Sequence, residues 1–284
     1  MRVAPLLFAM SFAAAGQNIE PIARAAGGNV GLSAVLIDSG EHVAVHGDQH
    51  FFMASVVKFP VALRVLELVD AGKLRLDEMV PVRQSDRAPG FSSLGGRFKA
   101  GATFSIRELL EFMMLASDNT ACDVLYRLSG GPAAVQARLQ ALGIQGIRVD
   151  RTEKQIAAAD SASHTRFLKD ERDTASPDAM TALLAKFERG EALKPVSTEL
   201  LRDLMERSAT GPNRLKGQLP AGTVVAHKTG TWGDAAMNDV GIITLPGGKG
   251  HVAIAVFTNR TKAGVDPEQT IAEMARAVYE KWAR

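Results

Sequence analysis

Segments with strand spacing lie towards the two ends of this chain, and segments with helical spacing fill its middle. Val30 to Ile37 and His42 to Val45 read as strands around the turn Asp38-Ser39-Gly40. Thr223 to His227, Val240 to Leu245 and His251 to Thr258 read as strands near the other end, the last two around Pro246-Gly247-Gly248-Lys249-Gly250. Early strands can pair with late ones in a single antiparallel sheet, which leaves the middle as a helical unit beside it. The expected class is α+β: an antiparallel sheet flanked by helices, with a second all-helical subdomain. The expected division is about 17–55 with 208–284 for the sheet part, and about 56–207 for the helical part.

The helices carry recognisable ends. Gln17 to Ala26 is amphipathic, with Ile19, Ile22 and Ala26 on one face and Gly27-Gly28 after it. Val61 to Val69 has helical spacing and stops near Asp70-Ala71-Gly72. Ser105-Ile106-Arg107-Glu108 is a capping box that opens a helix to Ala116. Ser117-Asp118-Asn119 interrupts that pattern before a second helix, Thr120 to Leu128. Pro132 to Leu142 follows, with Pro in its first turn and Gly143 beyond its end. Ser176-Pro177 starts a helix that ends before Gly190, Ser197 is expected to cap another that reaches Arg207, and Asp266-Pro267-Glu268-Gln269 caps the last, which runs to Trp282. Val82 to Ala100 reads as loop. Gln145 to Ser176 has little periodicity, and a connection that long suggests a functional loop.

The 284 residues, 46% of them hydrophobic, suffice for a sizeable core. The 33 basic and 31 acidic residues nearly balance, and no basic run stands out, so nucleic acid is not an implied partner. Cys122 is the single cysteine, which excludes a disulfide within the chain; it sits in an apolar helical pattern and reads as core. Met1 to Ala15 reads as a signal peptide, with Arg2, an apolar stretch from Val3 to Ala14, and a small-residue cleavage site at Ala13-Ala14-Ala15. The expected leader is residues 1–16. The expected mature protein starts near Gln17 as a periplasmic or secreted monomer with no membrane contact.

Ser55 and Lys58 stand three residues apart, where an apolar run, Phe51-Phe52-Met53-Ala54, meets the helical stretch. Residues at that spacing share a helix face. A serine hydroxyl becomes a competent nucleophile when a neighbour takes its proton, and a lysine can do so if burial disfavours its charged form. Burial among Phe51, Phe52 and Phe59 is the expected setting. A bland reading, a serine cap and a solvated lysine, stands beside this one. Further short motifs follow. Ser117-Asp118-Asn119 lies at the break between two helices, Glu153 lies in the long loop, and Lys228-Thr229-Gly230 follows a strand, where Gly230 would let a ligand approach closely.

Ser-x-x-Lys, Ser-Asp-Asn and Lys-Thr-Gly in this order, with 62 residues from Ser55 to Ser117 and 36 from Ser117 to Glu153, resemble class A serine β-lactamases from about Gln17 to the C-terminus. The resemblance implies hydrolysis of the β-lactam amide of penicillins and cephalosporins through a serine acyl-enzyme, resistance to those drugs, and no cofactor or metal. It implies that Ser55 attacks and that Lys58 is the base or its electrostatic partner. Ser117 would pass a proton to the lactam nitrogen, and Glu153 would activate the deacylating water. Backbone N–H groups of Ser55 and Thr231 would form the oxyanion hole. Asn119 would meet the substrate's amide, and Lys228 and Thr229, with Gly230 beside them, its carboxylate. Arg214, fourteen residues before Lys228, stands where some members carry a carboxylate-binding arginine, or is a surface arginine. Phe91 is an aromatic wall of the cleft or a loop-packing residue. Arg151 and Asp173 resemble the pair that closes the neck of the loop.

Two departures stand out. Ala157 occupies the place where an asparagine commonly helps hold the water, and the loop is longer than usual by roughly seven residues. A D,D-peptidase would lack Glu153 and would usually keep a membrane anchor or extra domains; a non-catalytic β-lactam sensor would usually carry membrane segments, but Ala157 leaves slow deacylation open. A metallo-hydrolase would draw on His42, His46 and His50, but on a strand each step separates them by roughly 13 Å, too far for one ion. A plain strand residue is one reading of His227, which precedes Lys228.

Overall fold

The computed structural model describes residues 19–27, 29–94 and 101–284; the expected leader lies outside them. The chain opens with α1 (Ile19–Ala26), β1 (Asn29–Leu36), β2 (His42–Val45) and β3 (Phe51–Phe52). A 3₁₀ turn, Ala54–Val57, runs straight into α2 (Lys58–Asp70), followed by β4 (Met79–Pro81), β5 (Thr103–Ser105), α3 (Ile106–Leu115), α4 (Asn119–Ser129) and α5 (Gly131–Ala141). Next come α6 (Glu153–Ala162), α7 (His164–Phe167), β6 (Thr174–Ala175), α8 (Pro177–Glu188) and α9 (Pro195–Glu206). The chain closes with β7 (Val225–Trp232), β8 (Ala236–Thr244), β9 (His251–Asn259) and α10 (Pro267–Ala283).

Early and late strands do join in one sheet. Its order is β2-β1-β9-β8-β7, every pair antiparallel, with β1 and β9 in register from Asn29↔Asn259 to Leu36↔Val252. Side chains alternate across this sheet. Val252, Ile254 and Val256 face α1 and α10, while Ala253, Ala255 and Phe257 join the larger core built with α2, α3, α4 and α8. Both faces are therefore covered, and the fold is α+β. β7 is an edge strand, and its Lys228–Trp232 half lies beside the 3₁₀ turn that carries Ser55.

Several expectations change. The segment 145–176 is not irregular: it holds α6 and α7. Thr152 caps α6 in a capping box with Gln155, a sequence signal for that helix start. Ser197 is not a cap. Pro195 opens α9 after Lys194, and Ser197 Oγ instead donates to Asp70 Oδ1 at 2.6 Å, tying α9 to the end of α2. β7 does not stop at His227 but continues through Lys228, Thr229, Gly230 and Thr231. The expected loop from Val82 contains a 3₁₀ turn at Gln84–Asp86, and β4 and β5, which flank it, pair as a short ribbon. Gly72, Gly130 and Gly143 all take positive φ just past helix ends, as a left-handed C-terminal residue requires.

Candidate active site

Ser55 follows Ala54, whose φ of +47° is a costly conformation for a residue with a Cβ. That bend turns the chain from β3 into the 3₁₀ turn and then α2. Two contacts fix the bend from the sheet side: Asn238 Nδ2 donates to the carbonyls of Phe52 at 2.9 Å and Met53 at 3.1 Å. Gly230 allows the close approach. A Cβ there would lie 2.5 Å from Met53 O, so the space beside Gly230 belongs to the backbone before Ser55 rather than to a ligand. The expectation for Gly230 is corrected accordingly.

Lys58 is fully buried, but oxygens rather than phenyl rings surround its ammonium. Nζ donates to Ser55 Oγ at 2.8 Å, Ser117 O at 2.8 Å, Ser117 Oγ at 3.2 Å and Asn119 Oδ1 at 2.7 Å. Glu153 Oε1 stands 3.4 Å away, at ion-pair distance but without hydrogen-bond geometry. On the opposite side Lys228 Nζ donates to Ser117 Oγ at 2.9 Å. Lys228 is also fully buried, and that burial, reinforced by the charge of Lys58, holds its ammonium well below the usual lysine range. Ser117 thus sits between two lysines. It adopts φ +58° at the break between α3 and α4, which aims its hydroxyl inward.

The neighbours of Ser117 divide their work. Asp118 caps α4 through Ala121 N and holds the loop in front through Ser92 Oγ, Ser93 Oγ and Leu94 N. Asn119 is engaged at both ends of its amide, by Lys58 and by Pro89 O at 2.9 Å. Glu153 is the first residue of α6 and is 2% exposed. Its backbone N–H donates to Asp123 Oδ1 at 2.8 Å, and that of Lys154 to Asp123 Oδ2 at 3.1 Å. Asp123 therefore stands at the positive end of α6. Burial pushes its carboxyl up to about 6, opposed by those two N–H groups.

A cavity of about 300 Å³ opens over these groups, lined by Ser55, Ser117, Asn119, Thr229, Thr231, Arg214 and Phe91 among others. Phe91 is 61% exposed at its mouth. Arg214 is not a surface residue. It is 6% exposed, ion-pairs through Nε with Glu268 at 2.9 Å, and donates to Asn238 O at 3.0 Å and Thr231 Oγ1 at 2.7 Å. Thr229 Oγ1 bonds Thr210 Oγ1 at 2.7 Å. His227 is no plain strand residue either: it is fully buried, with Nδ1 2.8 Å from Asp239 Oδ2. Away from the cleft, the imidazole of His42 engages Ser33 and Asp178, that of His46 engages Val30 O, and that of His50 engages Thr174.

Sequence reading passed over Asp123, Asn238, Thr210 and Trp232, which also lines the cavity. Asp123 had a signal, since it lies one helical turn beyond Asn119 on the same face. Asn238 had none before pairing was known, because only the β7–β8 register places it opposite Gly230.

An edge strand presenting Lys228, a serine between two buried lysines and the buried carboxylate of Glu153 meet at a sheet–helix junction. Comparison with known proteins gives the class. The β-lactamase enzyme family matches residues 14–282. The chain is 36% identical to the extended-spectrum β-lactamase PER-1 of Pseudomonas aeruginosa, over 93% of this chain and 86% of that protein. It is 34% identical to β-lactamase VEB-1 of Pseudomonas aeruginosa, over 92% and 88%. A solved β-lactamase from Chitinophaga pinensis superposes with a TM-score of 0.85 at 36% identity, covering 94% of this chain and 98% of that one. An ancestral class A β-lactamase does so with 0.83 at 32% identity, covering 94% and 99%. The chain belongs to the β-lactamase enzyme family, in class A, and is a β-lactam-hydrolysing enzyme.

Proposed function

We propose that hydrolysis runs through an ester on Ser55. The observation that carries this reading is the convergence of Ser55 Oγ, Ser117 Oγ, Lys228 and Glu153 around Lys58. The hydroxyl proton of Ser55 leaves towards Lys58, directly or on its way to Glu153, as Oγ bonds to the lactam carbonyl carbon. The N–H groups of Ser55 and Thr231 take the oxyanion. Collapse breaks the C–N bond, and Ser117, fed by the lysines beside it, gives the nitrogen its proton. Glu153 then takes a proton from water, the water oxygen adds to the ester carbonyl, and Ser55 leaves with its proton restored.

Lys228, Thr229 and Arg214 form the carboxylate end of the cleft, and Asn119 and Phe91 its side-chain end. Arg214 acts there partly through Thr231, whose hydroxyl it holds. The substrates are penicillins and cephalosporins, and no metal or other cofactor enters. Export by the leader of residues 1–16 would deliver the mature protein to the periplasm or the medium as a monomer. Among the described residues no helix is long and apolar enough to cross a membrane. The division into 17–55 with 208–284 and 56–207 puts Ser55 at the boundary between the two parts.

Intact-mass measurement after addition of a penicillin tests the roles. Ser55→Ala should show no adduct, and Glu153→Gln should accumulate one. An adduct on Ser55→Ala, or wild-type turnover by Glu153→Gln, would refute the assignment. A thousandfold slower deacylation in the latter corresponds to about 4 kcal/mol of barrier.

A further inference from the structure

Ala157 leaves α6 without the polar side chain expected in its middle, so the position of Glu153 has to be set from the ends of the helix. The first end is accounted for by Asp123. The second carries Asp160, near the C-terminus of α6, where the helix dipole opposes a negative charge and no basic residue of the last turn offsets it. A carboxylate so placed needs partners from elsewhere.

It has two. Trp232 Nε1 donates to Asp160 Oδ2 at 3.0 Å. His164 Nδ1 lies 2.6 Å from Asp160 Oδ1, and the other nitrogen of the same ring lies 3.2 Å from Asp234 Oδ1. Trp232 is the last residue of β7, directly after Thr231, and Asp234 lies in the turn from β7 to β8. The edge strand of the cleft and the helix that presents Glu153 are therefore joined by three polar contacts. Apolar packing runs beneath them. The rings of Phe52, Phe167 and Trp232 meet pairwise at centroid distances of 5.0 to 6.0 Å, and Ile156 and Ala235 complete the cluster.

We propose that Asp160, Trp232 and His164 form a latch that positions α6, and with it Glu153, against the substrate-binding strand for deacylation. Asp160 is seven residues from Glu153, about 10.5 Å along a rigid helix, so a shift at one end is carried to the other. These are positioning residues: Asp160 and His164 need not touch substrate, and Trp232 acts through Asp160. The latch rests on the deacylating role proposed for Glu153. It adds that the strand supplying Lys228 and Thr231 also fixes the helix supplying the carboxylate.

Trp232→Phe keeps an aromatic ring in the cluster but removes the N–H together with part of the ring system. Asp160→Ala removes both polar contacts from a side chain outside the core, whereas Asp160→Asn retains an oxygen that can accept from Trp232. Pre-steady-state kinetics with a chromogenic cephalosporin, together with intact-mass detection of the adduct, separate the two steps. Asp160→Ala should acylate at the wild-type rate and deacylate roughly tenfold more slowly, which is about 1.4 kcal/mol of barrier, and Trp232→Phe, at a residue that also lines the cavity, should slow deacylation by more than it slows acylation. Asp160→Asn should recover most of that loss. Wild-type deacylation in both disruptive variants would overturn the latch, as would equal slowing of both steps. If Glu153→Gln accumulates no adduct, the role of Glu153 fails first and the latch with it.

Discussion

Removing Arg151 should loosen the α6–α7 segment and slow deacylation more than acylation. Arg151 and Asp173 are 5% and 1% exposed and meet at 2.5 Å through Nε and Oδ2. Asp173 Oδ1 also accepts from the backbone N–H groups of Asp150 and Arg151, at 2.8 and 2.9 Å. Arg151 reaches Asp170 at 3.1 Å and lies over the ring of Phe167, 5.7 Å from its centre. One side chain thus joins the two ends of the segment and its aromatic anchor. Deleting one partner of a buried pair costs roughly 3–5 kcal/mol, because the other charge is left in a poor solvent. For a chain of this size 3 kcal/mol of global stability would lower Tm by roughly 6–12 °C. Asp173 can instead regain water if only the segment opens, and local opening then limits the global loss. Arg151→Ala should therefore lower Tm by less than that range, raise amide exchange across 145–173, and slow deacylation about tenfold or more. Ser55 and Lys58 belong to the 3₁₀ turn and α2, so acylation should change less. Acid offers a second handle. The hydrogen bonds from Arg172, with the charge of Arg151, hold the Asp170 carboxyl down at about 2. A depressed carboxylate stabilises the folded state above its unfolded pKa, near 4, and that contribution is lost as pH falls through about 2. Equal slowing of both steps, or exchange confined to wild-type levels, would refute the reasoning.

The remaining expectations concern the sheet side of the cleft. Arg214→Ala should raise KM, measured by steady-state kinetics with a penicillin and a cephalosporin, and should also cost stability, because Glu268 and the carbonyl of Asn238 lose their donor; about 1–3 kcal/mol in urea unfolding is expected, and unchanged KM with unchanged stability would return Arg214 to a passive role. Gly230→Ala should lose activity through displacement of Met53 and Ser55, visible as slowed acylation in the same stopped-flow assay, and a variant that acylates normally would show that the close approach is not needed.

The order of strands and helices was legible because alternation and helical periodicity are local. So was the set of chemical groups, because each short motif names its side chains. What the chain concealed were relations between segments. Lys58 was expected among rings because Phe51, Phe52 and Phe59 are its neighbours in sequence, yet the oxygens that meet it come from Ser117, Asn119 and Glu153. The stretch after Gln145 looked irregular because its apolar residues are few, although Thr152 and Gln155 mark a helix start. Arg214 could be read as exposed, since nothing near it in sequence reveals Glu268, Asn238 and Thr231 as its partners.

The same distinction explains why Glu153 can keep its place without a polar residue at position 157. A carboxylate on a free loop would need a side chain beside it to define its position. Glu153 instead begins a ten-residue helix whose first N–H groups are held by Asp123 on α4. The far end of that helix is held by Trp232 on β7, and the segment is closed beneath it by Arg151 and Asp173. Two anchors lie on other elements, α4 and β7, and the third ties together the two ends of the segment, so α6 is constrained in position and in tilt. Glu153–Ala162 and His164–Phe167 therefore lie in folded helix rather than in slack chain. On this argument the length of the segment matters less to the placement of Glu153 than the three contacts that bound it. Substitution of any one contact should affect deacylation before it affects the fold.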